Sequence, residues 1–132
     1  MISLDTNLIL AALDPKDIRH EDALSFLEAT SSNLCVSLPV YAELRAGEGW
    51  PAVEAFLKGL HVQLHGEMPM AVWELAGERF GQYARKRRTT GLPRRILADF
   101  LIGAHALHHH LALATFDPVH YRVAFPELEV LP

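Results

Sequence analysis

Asp5, Glu43, Asp99 and Asp117 each stand within or directly after an apolar run, where a lone carboxylate is costly to hold. They are too widely separated along the chain to belong to one local turn. A fold that gathered them would do so most cheaply around a divalent cation, and an oxygen-rich site of that kind suits Mg²⁺ or Mn²⁺. The chemistry that follows is hydrolysis of a phosphate ester. It needs an activated water and relief of the negative charge that builds on the phosphorus oxygens, and one or two such ions supply both. The four carboxylates would then serve as metal ligands and as groups that orient water, with no covalent intermediate. Glu43 or Asp99 is available to relay the proton.

Alternating strands and helices would have to carry these acids. Ile2 to Leu4 is a short apolar strand running into Asp5, and Asn7 to Leu13 reads as a helix closed by Asp14-Pro15. His20 to Ala29 repeats Ala23, Leu24 and Leu27 at helical spacing. Leu34 to Leu38 is a second strand, and Pro39 opens a helix where proline is best tolerated. After the break at Gly47-Glu48-Gly49-Trp50-Pro51, Ala52 to Gly59 is helical and His61 to His65 alternates as a short strand. Val72, Ala76, Phe80 and Tyr83 mark one face of a helix over Met68 to Arg88. Leu97 to His110 is another helix, Leu111 to Thr115 a strand, and Leu128 to Leu131 the last strand. This order predicts a three-layer α/β/α sandwich with a central, mainly parallel sheet.

In such a sheet the ligand crevice lies beyond the carboxyl ends of the strands, where Asp5, Glu43 and Asp117 would emerge. Asp99 shares its helix face with Ile102, Gly103 and Ala106, so it points inward. Glu43 shares its side with Pro39, Val40, Ala46 and Gly47. Any one of these acids could instead cap a helix or pair with an arginine. Four of them at strand ends and on inward faces favour a shared site.

The bulk properties agree. At 132 residues and 50% hydrophobic, the chain fits one domain over 1–132 with a proper core. Cys35 has no partner in the chain and lies in the apolar run Leu34-Cys35-Val36, as a reduced, cytoplasmic thiol would. Met1-Ile2-Ser3-Leu4-Asp5 does not read as a secretory leader, and Leu8 to Leu13, the longest uncharged apolar stretch, is too short to span a bilayer. The expectation is a soluble intracellular protein with no membrane partner. The net charge of −4 argues against general affinity for nucleic acid. Yet residues 85 to 95, Arg-Lys-Arg-Arg-Thr-Thr-Gly-Leu-Pro-Arg-Arg, contain no acid and could hold a polyanion; the alternative is a solvated helix end.

Four segments carry a family resemblance: Ile2-Ser3-Leu4-Asp5-Thr6-Asn7, Ala42-Glu43-Leu44, the run Ala98 to Ala106 (Ala-Asp-Phe-Leu-Ile-Gly-Ala-His-Ala), and Leu113-Ala114-Thr115-Phe116-Asp117. Together they resemble the signature blocks of PIN-domain ribonucleases, and their order and spacing are similar to the VapC toxins of bacterial toxin–antitoxin pairs. The resemblance spans essentially the whole chain. It implies a Mg²⁺- or Mn²⁺-dependent endoribonuclease with Asp5, Glu43, Asp99 and Asp117 at the family's acidic positions and Thr115 at its small hydroxyl position. It also implies an RNA substrate, a VapB-like antitoxin lying over the active-site groove, and a homodimer. The family often carries a further acid before the aromatic that follows the last block. Here that pair is His120-Tyr121, so no fifth acid is expected.

Weaker candidates surround this core. Thr6 and Asn7 read as caps of the first helix, and Asn7 could also touch metal-bound water. Arg94 and Arg95, just upstream of the Asp99 helix, are positioned either to hold RNA phosphates or to pair with Asp22 or Glu21. His105 and His109 stand four apart on a helix, a zinc-like spacing, but no cysteine or third ligand follows at finger-like distance. A solvated His108-His109-His110 helix end is the simpler reading. Asp5-Thr6-Asn7 also resembles the nucleophile loop of haloacid-dehalogenase-like phosphatases, but their second aspartate would stand at position 7, which is asparagine. Trp50 and Trp73 read as core. The competing class is a non-catalytic PIN-like module that holds RNA or protein; retention of all four acids argues against it, since clustered like charge has no use there.

Overall fold

Three of the strands are apolar on both faces, which only a sheet covered on both sides tolerates. The computed structural model describes residues Met1–Pro132. Its elements are β1 (Ile2–Leu4), α1 (Thr6–Leu13), α2 (His20–Ala29), β2 (Leu34–Ser37), α3 (Leu38–Arg45), α4 (Trp50–Gly59), β3 (Gln63–His65), α5 (Met70–Thr90), α6 (Leu97–His108), β4 (Ala112–Ala114), α7 (Val119–Ala124) and β5 (Val130–Leu131). The sheet runs β3-β2-β1-β4-β5 and every pairing is parallel. The expected "mainly parallel" sheet is thus entirely so. β1 and β2 are buried throughout, whereas the edge strand β3 is largely exposed.

Helices cover both faces. α1 packs on α2 and α4, and α5 packs on α6 and α7. α3 touches α1 and α4 as well as α6, so it lies between the two helical groups and borders the crevice. β1 is central because the chain winds outward from it to β2 and β3, then returns to its other side for β4 and β5. That reversal opens the crevice at the strand ends. In register, Leu4 stands opposite Ala114, so Asp5 and Thr115 are the first residues beyond two paired strands.

Helix α5 ends at Gly91, whose φ of 72° is the left-handed conformation that glycine adopts freely; its N–H donates to the Arg87 carbonyl. The strap that follows is tied back by the Tyr83 hydroxyl, which donates to the Pro93 carbonyl at 2.7 Å. Gly103 marks a close approach: a Cβ there would lie 2.5 Å from Phe125 Cε2.

Sequence and structure differ in a few places. α7 was not anticipated, and β3 and β5 are shorter than their apolar patterns suggested. Trp73 is 49% exposed, with its indole N–H donating to the Met68 carbonyl, so it is a surface residue rather than core. Trp50 is half-buried against Tyr41, with the Arg45 guanidinium over its ring.

Candidate active site

Asp5 leaves β1 in extended conformation and becomes the N-cap of α1, its Oδ1 accepting the Thr6 N–H at 2.8 Å. Thr6 and Asn7, expected as the caps, do other work. Asp5 Oδ2 accepts from the Thr115 hydroxyl at 2.8 Å and from the Tyr121 hydroxyl at 3.1 Å. The carboxyl group is buried, and burial raises its pKa even against these three hydrogen bonds, with repulsion from Asp117 adding to the rise.

Thr115 is the hub of the polar network. Its hydroxyl donates to Asp5 and accepts from Asn7 Nδ2 at 3.2 Å and from the Asp117 N–H at 3.0 Å, which uses its full capacity. Asn7 Oδ1 in turn accepts the Phe116 N–H at 3.1 Å. Asn7 therefore fastens the segment after β4 to α1, and both residues hold the site rather than face it.

Asp99 sits in the first turn of α6 with its side chain 23% exposed. Its pKa is pushed up to about 6, chiefly by burial and then by the charge of Asp5, with Glu43 adding to the rise; a backbone hydrogen bond at Ile96 and the Arg95 charge oppose it. The nearest imidazole nitrogen, His120 Nε2, is 3.8 Å away, too far for a hydrogen bond. His120 is itself buried, and desolvation, followed by the Arg95 charge, depresses its pKa to about 4, so it is neutral near pH 7. Tyr121 is held protonated: burial and then the charge of Asp5 push its pKa up, keeping it a donor.

The four acids form a gradient from buried to exposed, not a buried quartet. Glu43 is exposed: α3 packs through Val40, as expected, and Leu44, while Ala46 and Gly47 are exposed. Its Oε1 accepts from the Thr6 hydroxyl at 2.9 Å, which turns the carboxylate toward the strand ends. Asp117 is half-exposed and gripped by Arg95 at 2.8 and 3.1 Å. Arg95 therefore binds an acid of the site instead of standing free for phosphate. Asp22, one of its expected partners, takes Arg19. Arg94 remains exposed.

The donor set fits a hard divalent cation. Asp5 accepts three hydrogen bonds of about four that a carboxylate can take, and Glu43 has one oxygen uncommitted. Asp5 and Glu43 both oppose the charge of Asp99, and Arg95, the cation that counters them, is bound to Asp117. A cation relieves that repulsion. Sequence reasoning missed Tyr121 and Arg95 as neighbours of the acids; the only signals were a tyrosine four residues beyond Asp117 and an arginine four before Asp99.

Fold and site together define an all-parallel α/β protein with an acidic crevice beyond the carboxyl edge of its sheet. The sequence model of the PIN domain matches residues 2–126, and the chain belongs to the PIN-domain family. No curated protein matches it in sequence. Among solved structures it is similar to FitAcB from Neisseria gonorrhoeae, at TM-score 0.69 and 24% identity over 100% of this chain and 97% of that one. It is similar to VapC20 of Mycobacterium tuberculosis, a sarcin-ricin loop cleaving toxin, at TM-score 0.69 and 18% identity over 100% of both chains. A toxin–antitoxin complex from Klebsiella pneumoniae gives TM-score 0.65 and 19% identity over 100% of this chain and 97% of that one. At these identities the likeness establishes the fold.

Proposed function

We propose that residues 1–132 form one metal-dependent endoribonuclease domain, the toxin of a toxin–antitoxin pair acting in the cytoplasm. The observation that carries this reading is that Asp5 and Glu43, from two other elements at the open end of the sheet, both press their charge on Asp99, which is half-buried there. Asp5, Glu43 and Asp99 would hold Mg²⁺ or Mn²⁺. Asp117 joins them as a ligand only by exchanging Arg95 for the ion. When bound, the cation would lower the pKa of a water and neutralise charge developing on the phosphate.

The chain's own residues do the rest. Tyr121 and Thr115 fix the Asp5 carboxylate by donating to the same oxygen. Asp99, whose environment favours protonation without an ion, would give up that proton on ligating the cation, so ion binding at this site should release a proton. Glu43, at the solvent edge, passes protons outward. Arg94, exposed on the strap beside the site, meets an RNA phosphate.

Partners follow from the same reading. The Klebsiella neighbour is a toxin–antitoxin complex. A VapB-like antitoxin covering the acidic crevice, and a homodimer, fit a chain with exposed Leu38, Met70, Trp73 and Leu97.

Cleavage of a defined, end-labelled RNA set with Mg²⁺, Mn²⁺ or chelator tests the proposal. Cutting should require the ion, and Asp5→Asn or Asp99→Asn should each reduce it at least about 100-fold, since even groups that merely orient metal ligands matter by 10- to 100-fold. RNA binding without cleavage under every metal condition would instead indicate a binding module.

A further inference from the structure

His105 lies on α6 and His109, four residues on, is its C-cap; the third imidazole that their spacing lacked in sequence comes from the end of β3. One ring nitrogen from each of His65, His105 and His109 lies within 4.8 Å of the other two. The ring centroids are 4.7, 4.3 and 4.6 Å apart. We propose that these three residues form a second metal site, for Zn²⁺ or another borderline divalent ion of the d-block, which clips the edge strand β3 to α6.

Four observations support it. The first is distance: His105 Nε2 and His65 Nδ1 face each other at 3.1 Å. Two nitrogens bound tetrahedrally to zinc sit about 3.3 Å apart, so the ion replaces the proton these rings share with little movement. The second is charge. No carboxylate is paired with any of the three rings. A divalent ion therefore meets three imidazoles with no anion competing for their ring nitrogens. The third is support from the surroundings. The Glu67 carbonyl lies 3.0 Å from His109 Nε2 and can accept its proton, the contact that orients metal-binding imidazoles; the neutral ring then keeps its lone pair on Nδ1. The fourth is burial. His105 is fully buried with its Nε2 turned to His65, so an ion there is shielded from water on that side, while Nδ1, on the other side of the ring, carries the proton.

The donor set separates this site from the acidic one. Three imidazoles select Zn²⁺, Co²⁺, Ni²⁺ or Cu²⁺ over Mg²⁺ and Mn²⁺, which seek oxygen. Asp99 and His105 share α6 but are six residues apart, roughly 9 Å along the axis. His65 and His109 are only half-buried, which leaves an entry path and a position for water as a fourth ligand. β3 is a three-residue edge strand, mostly exposed, so a clip holds an element that little else secures.

The test uses the full chain, stripped with chelator and then given Zn²⁺ or Mg²⁺. We expect one Zn²⁺ per chain to raise Tm by roughly 5–10 °C when present at about 100 times its Kd. The rise should persist in Asp99→Asn and be lost in His65→Gln and His109→Gln. Should a variant not fold, histidine ring NMR of the wild type decides the matter: Zn²⁺ should shift the signals of His65, His105 and His109 and leave those of His20, His61 and His120 in place. Overturning results are no Zn²⁺ binding, binding lost in Asp99→Asn but kept in both histidine variants, or shifts confined to His108 and His110. The readout is stability and spectrum, so a failed cleavage assay leaves it untouched.

Discussion

Asp99 is ionised against its surroundings at neutral pH, and the fold bears the cost. With its pKa near 6 in the native chain and near 3.8 when unfolded, the residue is neutral in both states below about pH 4. Between about pH 4 and pH 6 the unfolded chain releases the proton while the native one retains it, so this residue's contribution to stability falls as pH rises through that window and is constant above it. His105 and His120, lowered to about 4 by burial, contribute the opposite trend in wild type and Asp99→Asn alike, so the difference between the two proteins isolates Asp99. The loss is about 2–3 kcal/mol at 1.36 kcal/mol per pKa unit. In metal-free protein, Asp99→Asn should therefore melt higher at pH 7 and show no such decline. Denaturant titrations of both proteins from pH 4 to pH 7 measure the difference, and parallel curves would refute it. Asp5 and Asp99 were legible in sequence because a carboxylate in an apolar run breaks the pattern around it. Tyr121 was not, since its hydroxyl meets Asp5 across 116 positions and no spacing records such a contact. Glu43 was read as buried more deeply than it is: its face-mate Val40 packs, but Ala46 and Gly47 at the end of the helix are exposed, and Leu44 completes the packing.

Helix α6 joins both candidate sites, so its seating matters more than that of any other helix. It seats through Gly103, where the Phe125 ring occupies the space a side chain would fill. Gly103→Ala should destabilise by about 1–3 kcal/mol, because Phe125 is fully buried and has nowhere to move. Gly77→Ala, on the exposed side of α5 with no atom near its added methyl, should stabilise by about 0.5–1 kcal/mol. Thermal melts of the pair that moved in the same direction would contradict this packing. The long elements were readable from periodicity: Val72, Ala76, Phe80 and Tyr83 do define the inner face of α5. Helix α7 was not, because six residues, Val-His-Tyr-Arg-Val-Ala, are too few to establish a period, and Pro118 before them reads equally as a loop. The indole of Trp73 was misjudged for a related reason. Size and aromaticity suggest core, but it falls off the buried stripe of α5.

Across the whole molecule, acidic charge dominates, and the strap after α5 is the exception. Arg87, Arg94 and Arg95 line a hollow there with Phe80, Tyr83 and Ala84, and only Arg95 has an acidic partner. Arg94→Ala should weaken RNA binding and reduce the slope of log affinity against log salt by about 0.7, the value for one phosphate contact on a single strand. An unchanged slope in filter binding would make Arg94 a solvated residue. The parallel sheet was legible in outline because unbroken apolar runs alternate with helical ones; its extents were not, since edge strands such as β3 end where twist and exposure dictate. One further consequence lies in the alignment of Leu4 with Ala114. Asp5 and Thr115 are neighbours only because two strands stop in step, so a single inserted or deleted residue at either end would rotate one of them out of the pocket. A one-residue insertion should be better tolerated at the opposite rim, in the exposed turn 31–33 that leads into β2.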